Sequence, residues 1–487
     1  MQYTFDSERY EKGIESTMIA TFTLLHSTPS SRPFGTAYLP AIGQGVDLVP
    51  NGYIEEEYLV AGTAGEWSYD EAGAASLHTA DVPYVTRLLV RRPAEAARAS
   101  GSVQLEPLHP NLDTAPTWRS LHEWIMRNGH TWIGVTQDAP ISEQLRTRFG
   151  ERYGTLSLPV AGLGYDILGD VAIAARQGRL AGVSAERVIL SGWSATGSFC
   201  RVYLGDGFHD RHRLPGGTPA VDGIVIGISS GAADTAGYPP LSAACPPLPA
   251  GDPRRVVHGD ETPVFEILSE LESETNAASL RPDSDEADDR YRLYQVAGTS
   301  HSSAQKDVLT NGAQFELSGE ALPGTLTNEA PSDARMDYVA RALFELFERW
   351  VTDGTAPPRA PRFTFAQQPG EPGKPVALTR DGAGNVVGGI RPPWIEVPLA
   401  VYSPHSTPVP GSCLAPSWTP LGFPEIVAGL IGYSTPLSDD TLRSLHGSRQ
   451  GYLEAFAASA HALVRDGFLL NEEAEALITR SHSSWPA

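Results

Sequence analysis

Cysteine is scarce in this chain of 487 residues: Cys200, Cys245 and Cys413 are the only three. An odd, scattered set excludes a disulfide framework and a thiolate zinc site, and leaves room for one Cys245–Cys413 bridge. Positive charge is short as well. There are 36 Lys and Arg against 58 Asp and Glu, a net charge of −22. That surplus argues against nucleic acid and against an anionic membrane surface as partners. No apolar run approaches the ~20 residues of a membrane span. Internal repeats and low-complexity tracts are lacking. The opening, Met1-Gln2-Tyr3-Thr4-Phe5-Asp6, has no basic segment followed by an apolar core. This points to the cytoplasm, although a secreted chain stripped of its leader would read the same way.

What is present is globular in character. Hydrophobic residues make up 41% and charged residues 19%, enough for a sizeable core. With 48 Gly and 40 Pro, many ordered loops are expected. Residues 1–85 are rich in β-prone runs, at 17–22 and 53–60. From residue 86 to 352 apolar strands alternate with amphipathic helices. The strands fall at 86–90, 102–105, 131–135, 187–190, 223–227, 263–268 and 292–296. Helices are expected around Trp118, Leu121, Trp124 and Ile125, over 165–176, and over about 333–352. This alternation predicts an α/β fold with a mostly parallel sheet and helices on both faces. A Pro-rich stretch follows from residue 356 and the chain ends in helices. Residues 353–487 therefore read as a C-terminal extension that lines the pocket, and 1–85 as an N-terminal β extension. The acidic run Asp283, Asp285, Glu286, Asp288 and Asp289 reads as a solvated loop.

The chemistry centres on Gly192-Trp193-Ser194-Ala195-Thr196-Gly197. An apolar strand precedes it and a helix-like stretch through Phe199, Val202, Tyr203 and Leu204 follows. A strand that turns sharply through small residues into a helix lifts the serine hydroxyl above the sheet edge. The pattern G-x-S-x-G occurs elsewhere, at Gly227-Ile228-Ser229-Ser230-Gly231. The glycines and prolines after Ser229 break helices, so Ser194 is the expected nucleophile. A serine needs a base to take its proton. His301, in the small-residue loop Ala297-Gly298-Thr299-Ser300-His301 after the last strand, is the expected base. An acid should orient it. Ser269-Glu270-Leu271-Glu272, directly after a strand, offers Glu272 first and Glu270 as the alternative. The Ala195 amide is one expected oxyanion donor. The second should come from the loop 106–113, at Asn111 or Leu112. Trp193 and His109 are expected to contact substrate. His209-Asp210-Arg211-His212 lacks a third ligand and reads as a polar loop, so no metal is expected. Gly162-Leu163-Gly164 fails as a dinucleotide fingerprint, and no cofactor is expected.

These motifs together resemble the large α/β-hydrolase-domain proteins of the serine esterase type. Gly52-Tyr53-Ile54-Glu55-Glu56-Glu57-Tyr58 is similar to that family's N-terminal strand. Arg127-Asn128-Gly129-His130-Thr131-Trp132-Ile133-Gly134-Val135 is similar to the segment entering its next strand. Tyr165-Asp166-Ile167 resembles the start of the helix before its serine. The serine, acid and histidine segments match in the same order, with Ala195 where the family usually carries glutamine. The likeness runs over most of the chain and implies one elaborated α/β-hydrolase domain, 1–487. It also implies cleavage of a small-molecule carboxylic ester or lactone through an acyl-enzyme. Acyl transfer from the same acyl-enzyme, or a non-catalytic binding role on the same fold, are the alternatives. Neither the acyl and alcohol groups nor the oligomeric state is legible at this point.

Overall fold

A computed structural model describes residues 20–486, other than 29, 40–43, 181, 230–240, 243–244, 246–247, 250–251, 260, 304–316, 318–326, 369, 371–373 and 412–423. Its frame is a ten-stranded sheet. In chain order the strands are β1 (Thr21–Leu24), β2 (Tyr53–Tyr69), β3 (Ala75–Pro93), β4 (Ser102–Pro107) and β5 (Thr131–Val135). They continue as β6 (Arg187–Trp193), β7 (Gly223–Gly227), β8 (Val264–Leu268), β9 (Ser284–Glu286) and β10 (Asp289–Gln295). Across the sheet the order is β1-β2-β3-β5-β4-β6-β7-β8-β10-β9. Every neighbouring pair from β5 through β10 is parallel. The flanks, β1-β2-β3-β5 on one side and β10-β9 on the other, are antiparallel.

The strand sequences explain why both faces are covered. Neighbouring residues point to opposite faces, and here both sets are apolar. Ile189, Val225, Phe265 and Tyr294 enter one core. Val188, Leu190, Ile224, Ile226, Val264 and Leu293 enter the other. Such strands are stable only between two helical layers. Helices α1 (Pro116–Arg127) and α5 (Met336–Asp353) supply the first layer. Helices α2 (Gly164–Arg176) and α3 (Ala195–Gly205) supply the second. In α5 the apolar stripe Val339, Leu343, Phe347 and Trp350 is fully or nearly fully buried. Phe347 meets Phe265 edge-on with ring centroids 4.5 Å apart. On the other face Tyr165 stacks on Phe199 at 4.1 Å.

Three readings change against this frame. The boundary at residue 85 falls inside β3, which pairs with both β2 and β5, so the N-terminal β segment is continuous with the central sheet. The acidic run forms an edge hairpin of β9 and β10 rather than a loop, while Asp285, Glu286 and Asp288 are exposed to solvent as expected. Three of its five carboxylates are matched by arginines: Asp283 by Arg362, Asp285 by Arg292 and Arg359, and Asp289 by Arg281. A helix at Ala139–Arg148 was not signalled by the sequence pattern. Cys413 lies outside the described residues, and so does the start of the 17–22 run; Cys200 is a buried thiol. Among the described residues, no helix is long and apolar enough to cross a membrane.

Candidate functional site

Ser194 occupies the turn between β6 and α3 with φ 61° and ψ −125°. A non-glycine residue held there is strained, and such strain persists only where the surroundings fix it. Those surroundings are on hand. The Ser194 N–H donates to Gly227 O at 3.0 Å, and Ser194 O accepts from Ser198 N at 3.0 Å. Thr196 Oγ1 accepts from Trp193 N and donates to Trp193 O, both at 2.9 Å. The two glycines of the motif are required by close approach. A Cβ on Gly192 would lie 2.1 Å from Thr196 O, and one on Gly197 would lie 2.5 Å from Gly227 O. The Ala195 N–H belongs to the first turn of α3, whose amides have no partner within the helix.

Ser194 is half-buried and so reachable. Ser229 is fully buried, and its Oγ accepts from Arg201 Nε at 2.7 Å. Arg201 in turn pairs with buried Glu266. Ser229 and Glu266 are thus tied into a structural network. The glycines and prolines from 231 to 240 lie outside the described residues.

The carboxyl ends of β8 and β10 bring the acid and the histidine together. Helix α4 (Glu270–Thr275) starts right after β8, with Ser269 as its cap: Leu271 N donates to Ser269 Oγ at 3.2 Å. Glu272 is fully buried. Its Oε1 accepts from His301 Nδ1 at 2.6 Å and its Oε2 from Ser269 Oγ. A carboxylate acceptor at Nδ1 fixes the tautomer, so Nε2 is left to act as a base. Glu270 turns elsewhere, to Gly298 N at 2.7 Å and Arg380 Nη1 at 2.6 Å. Burial raises its pKa, and Arg380 opposes that rise. Of the two acids foreseen, Glu272 is therefore the one that meets His301.

The extension beyond α5 does something the sequence did not announce. It carries Arg380 to Glu270, and His405 Nε2 to Glu274 Oε2 at 2.7 Å. The hydrogen bond to the Glu274 carboxylate raises the His405 pKa. Three carboxylates within one short helix thus each meet a cation or imidazole from a different segment. The same extension straps the histidine loop. Ser302 N donates to Leu430 O at 2.8 Å, and Gly432 N donates to Ser300 Oγ at 3.0 Å. Ala297 N donates to Ile390 O at 2.9 Å. Residues 353–487 hold the acid and histidine loops in place; they carry no spacing motif that would have marked this role.

The loop after β4 supplies the remaining groups. The Asn111 N–H donates to His109 Nδ1 at 3.0 Å, so that amide is spent. The Leu108 and His109 N–H groups bond Val135 O and Thr114 O. The Leu112 amide makes no such bond among the described residues, and Leu112 sits at φ 61°. Burial, with His301 and Arg119 nearby, pushes His109 down to about 3, so its imidazole is neutral. Trp193 is 3% exposed, packed in the core, with no partner for its Nε1–H among the described residues. His209 Nε2 contacts Thr262 Oγ1 at 2.9 Å and His212 Nδ1 donates to Phe208 O at 2.8 Å. Among the described residues no cluster of three His, Cys, Asp or Glu is arranged to hold a metal ion.

Among known proteins, the family described as alpha/beta hydrolase domain matches residues 25–479. Curated proteins gave no match. Solved structures that resemble the chain include a mutant of the esterase Est22, at 13% identity and a TM-score of 0.28, covering 46% of this chain and 66% of that one. LpqC, a poly(3-hydroxybutyrate) depolymerase from Bordetella parapertussis, is 15% identical, with a TM-score of 0.28 over 63% of this chain and 91% of that one. A mutant of the esterase rPPE is 13% identical, with a TM-score of 0.29 over 51% and 74%.

Proposed function

The chain belongs to the alpha/beta hydrolase domain family, and from that premise we propose that it is a serine hydrolase of carboxylic esters. The observation that supports the reading is a strained, reachable Ser194 at the same end of the sheet as a half-buried His301 bonded to buried Glu272. Ser194 Oγ attacks the ester carbonyl as His301 Nε2 takes its proton. Glu272 keeps Nδ1 protonated and stabilises the imidazolium that forms. The Ala195 amide, aided by the α3 dipole, and the Leu112 amide receive the oxyanion. His301 then returns the proton to the leaving alcohol, and water releases the acyl group by the reverse sequence.

The test is labelling with a fluorophosphonate probe of the wild type, Ser194→Ala and Ser229→Ala. Loss of label in Ser194→Ala, with label kept in Ser229→Ala, is the expected result. Label kept in Ser194→Ala sinks the proposal.

A further inference from the structure

Strands β8 and β10 are parallel neighbours, and their ladder runs on past the strand ends. Leu268 pairs with Gln295, and Val296 N donates to Leu268 O at 2.9 Å. In a parallel ladder the donors along one edge recur every second residue. The next after Val296 is Gly298 N, and its acceptor by register would be the carbonyl of residue 270. That carbonyl is turned away, because residue 270 has already entered α4 and helical carbonyls point along the helix axis. The Glu270 side chain takes its place: Oε1 accepts from Gly298 N at 2.7 Å. The Glu270 N–H, which as a first-turn amide has no partner inside the helix, donates to Thr299 O at 3.2 Å. One residue thus grips two consecutive residues of the loop that carries His301.

The grip is charged. Glu270 is buried, and an ionised carboxylate there needs more than one amide to offset its lost hydration. Arg380 supplies the rest, with Nη1 2.6 Å from Oε2. With one oxygen on Gly298 and the other on Arg380, the carboxylate has no freedom to swing. The loop is backed from its other side as well. Gly298 stands at φ 73°, and a Cβ there would lie 2.4 Å from Ile395 Cδ1. Two residues on from Glu270, Glu272 accepts from His301 Nδ1. The helix of the acid and the loop of the histidine are therefore joined twice. The contacts at Glu270 set the distance between them, and the contact at Glu272 uses it.

We propose that Glu270, braced by Arg380, is a positioning residue for His301: it holds the histidine loop against α4 so that the imidazole meets Glu272. The proposal rests on the serine hydrolase reading for its bearing on catalysis. It gives the second glutamate a task other than that of the acid. It also makes a residue of the extension, 110 positions further along the chain, part of what the reaction needs. A misplacement of about 1 Å can cost on the order of 100-fold in rate, so a bond that never touches substrate can weigh this much.

The experiment compares two double variants, Glu270→Gln/Arg380→Met and Glu270→Leu/Arg380→Met. Both discard the ion pair, and only the first offers Gly298 N an acceptor. Circular dichroism checks that each is folded. On a simple aryl ester the Leu variant is expected to lose roughly 10- to 100-fold in kcat with KM little changed, and the Gln variant to stay within about fivefold of wild type. Proton NMR, recorded cold to slow exchange, gives a readout that needs no turnover. The Nδ1 proton between His301 and Glu272 should give a far-downfield line, identified by its loss in His301→Asn. The Gln variant should keep that line and the Leu variant lose it. Equal kcat in the two double variants, or a line unaltered in the Leu variant, overturns the proposal and leaves Glu270 a role in stability alone. Glu270→Asp, still charged but one methylene short of Gly298, repeats the contrast should the Leu variant not fold: kcat should fall and the line move upfield, and no change in either counts against Glu270. Failure of the serine hydrolase reading would instead show as absence of fluorophosphonate label in wild type, and the NMR line would still report on Glu270.

Discussion

His301 Nδ1 donates to Glu272 Oε1 at 2.6 Å, across 29 residues of chain. The acceptor is fully buried while the His301 side chain keeps 16% of its surface. One end of the imidazole is therefore fixed, and part of the ring stays accessible. If this couple drives the reaction, Glu272→Gln presents an amide to Nδ1 and permits the wrong tautomer. The expected loss in kcat is on the order of 10³- to 10⁴-fold on a simple aryl ester, with KM little changed. A loss under about tenfold would remove Glu272 from the mechanism.

Glu270 gives the contrasting case. It is buried, and Arg380 is its cationic partner. Arg380→Met leaves the carboxylate with the Gly298 N–H alone, at a cost of roughly 3 kcal/mol, the lower part of the range for breaking a buried pair. Burial already raises the Glu270 pKa. A group whose pKa is raised on folding loses stability as pH rises through its folded value. The deficit of Arg380→Met, read from urea unfolding, should thus be larger at pH 8 than at pH 5. Glu270→Gln in the same background should recover most of it. Additive losses in the double variant would refute the pairing.

His405 predicts a pH dependence of its own. Its pKa is raised through Glu274. The pair's contribution is complete below about 6.5, the value for a free histidine. It is lost as pH rises through the higher folded value. Thermal unfolding of wild type and His405→Gln should differ at pH 6 and converge at pH 9. Curves that stay equally separated at both values would show that the histidine is not titrating against Glu274.

Ser194 stores strain, and glycine would release it. A residue at φ 61°, ψ −125° is sparsely populated for any side chain. Ser194→Gly should be more stable than Ser194→Ala by roughly 1 kcal/mol, measured by urea unfolding, while both lack activity. Gly197→Ala should do the opposite, because its Cβ would press on Gly227 O at 2.5 Å. Equal stabilities of the two serine variants would mean the turn is relaxed.

Much of this could be read from residues in a row. The apolar runs at 131–135 and 223–227 coincide with β5 and β7, because a strand buried on both faces has no polar alternation to blur its ends. The Ser194 turn was legible because small residues between a strand and a helix are a local signal. Other features had none. The helix Ala139–Arg148 buries only Ile141, Ser142 and Leu145, too few to show a stripe. The strand β9 is SDE, a composition depleted in strands. It is held by Arg292 and by Arg359, which lies 74 residues on from Asp285. Arg380 and His405 reach Glu270 and Glu274 across 110 and 131 residues, and no spacing rule spans such a gap.

The strap at residues 430–432 has a bearing on how the protein comes to life on the ribosome. Translation delivers the serine, the carboxylate and the imidazole first, and the Gly432 backbone that pins Ser300 follows 132 residues behind it. The histidine loop therefore reaches its final hydrogen bonding only once that later stretch has emerged and folded back.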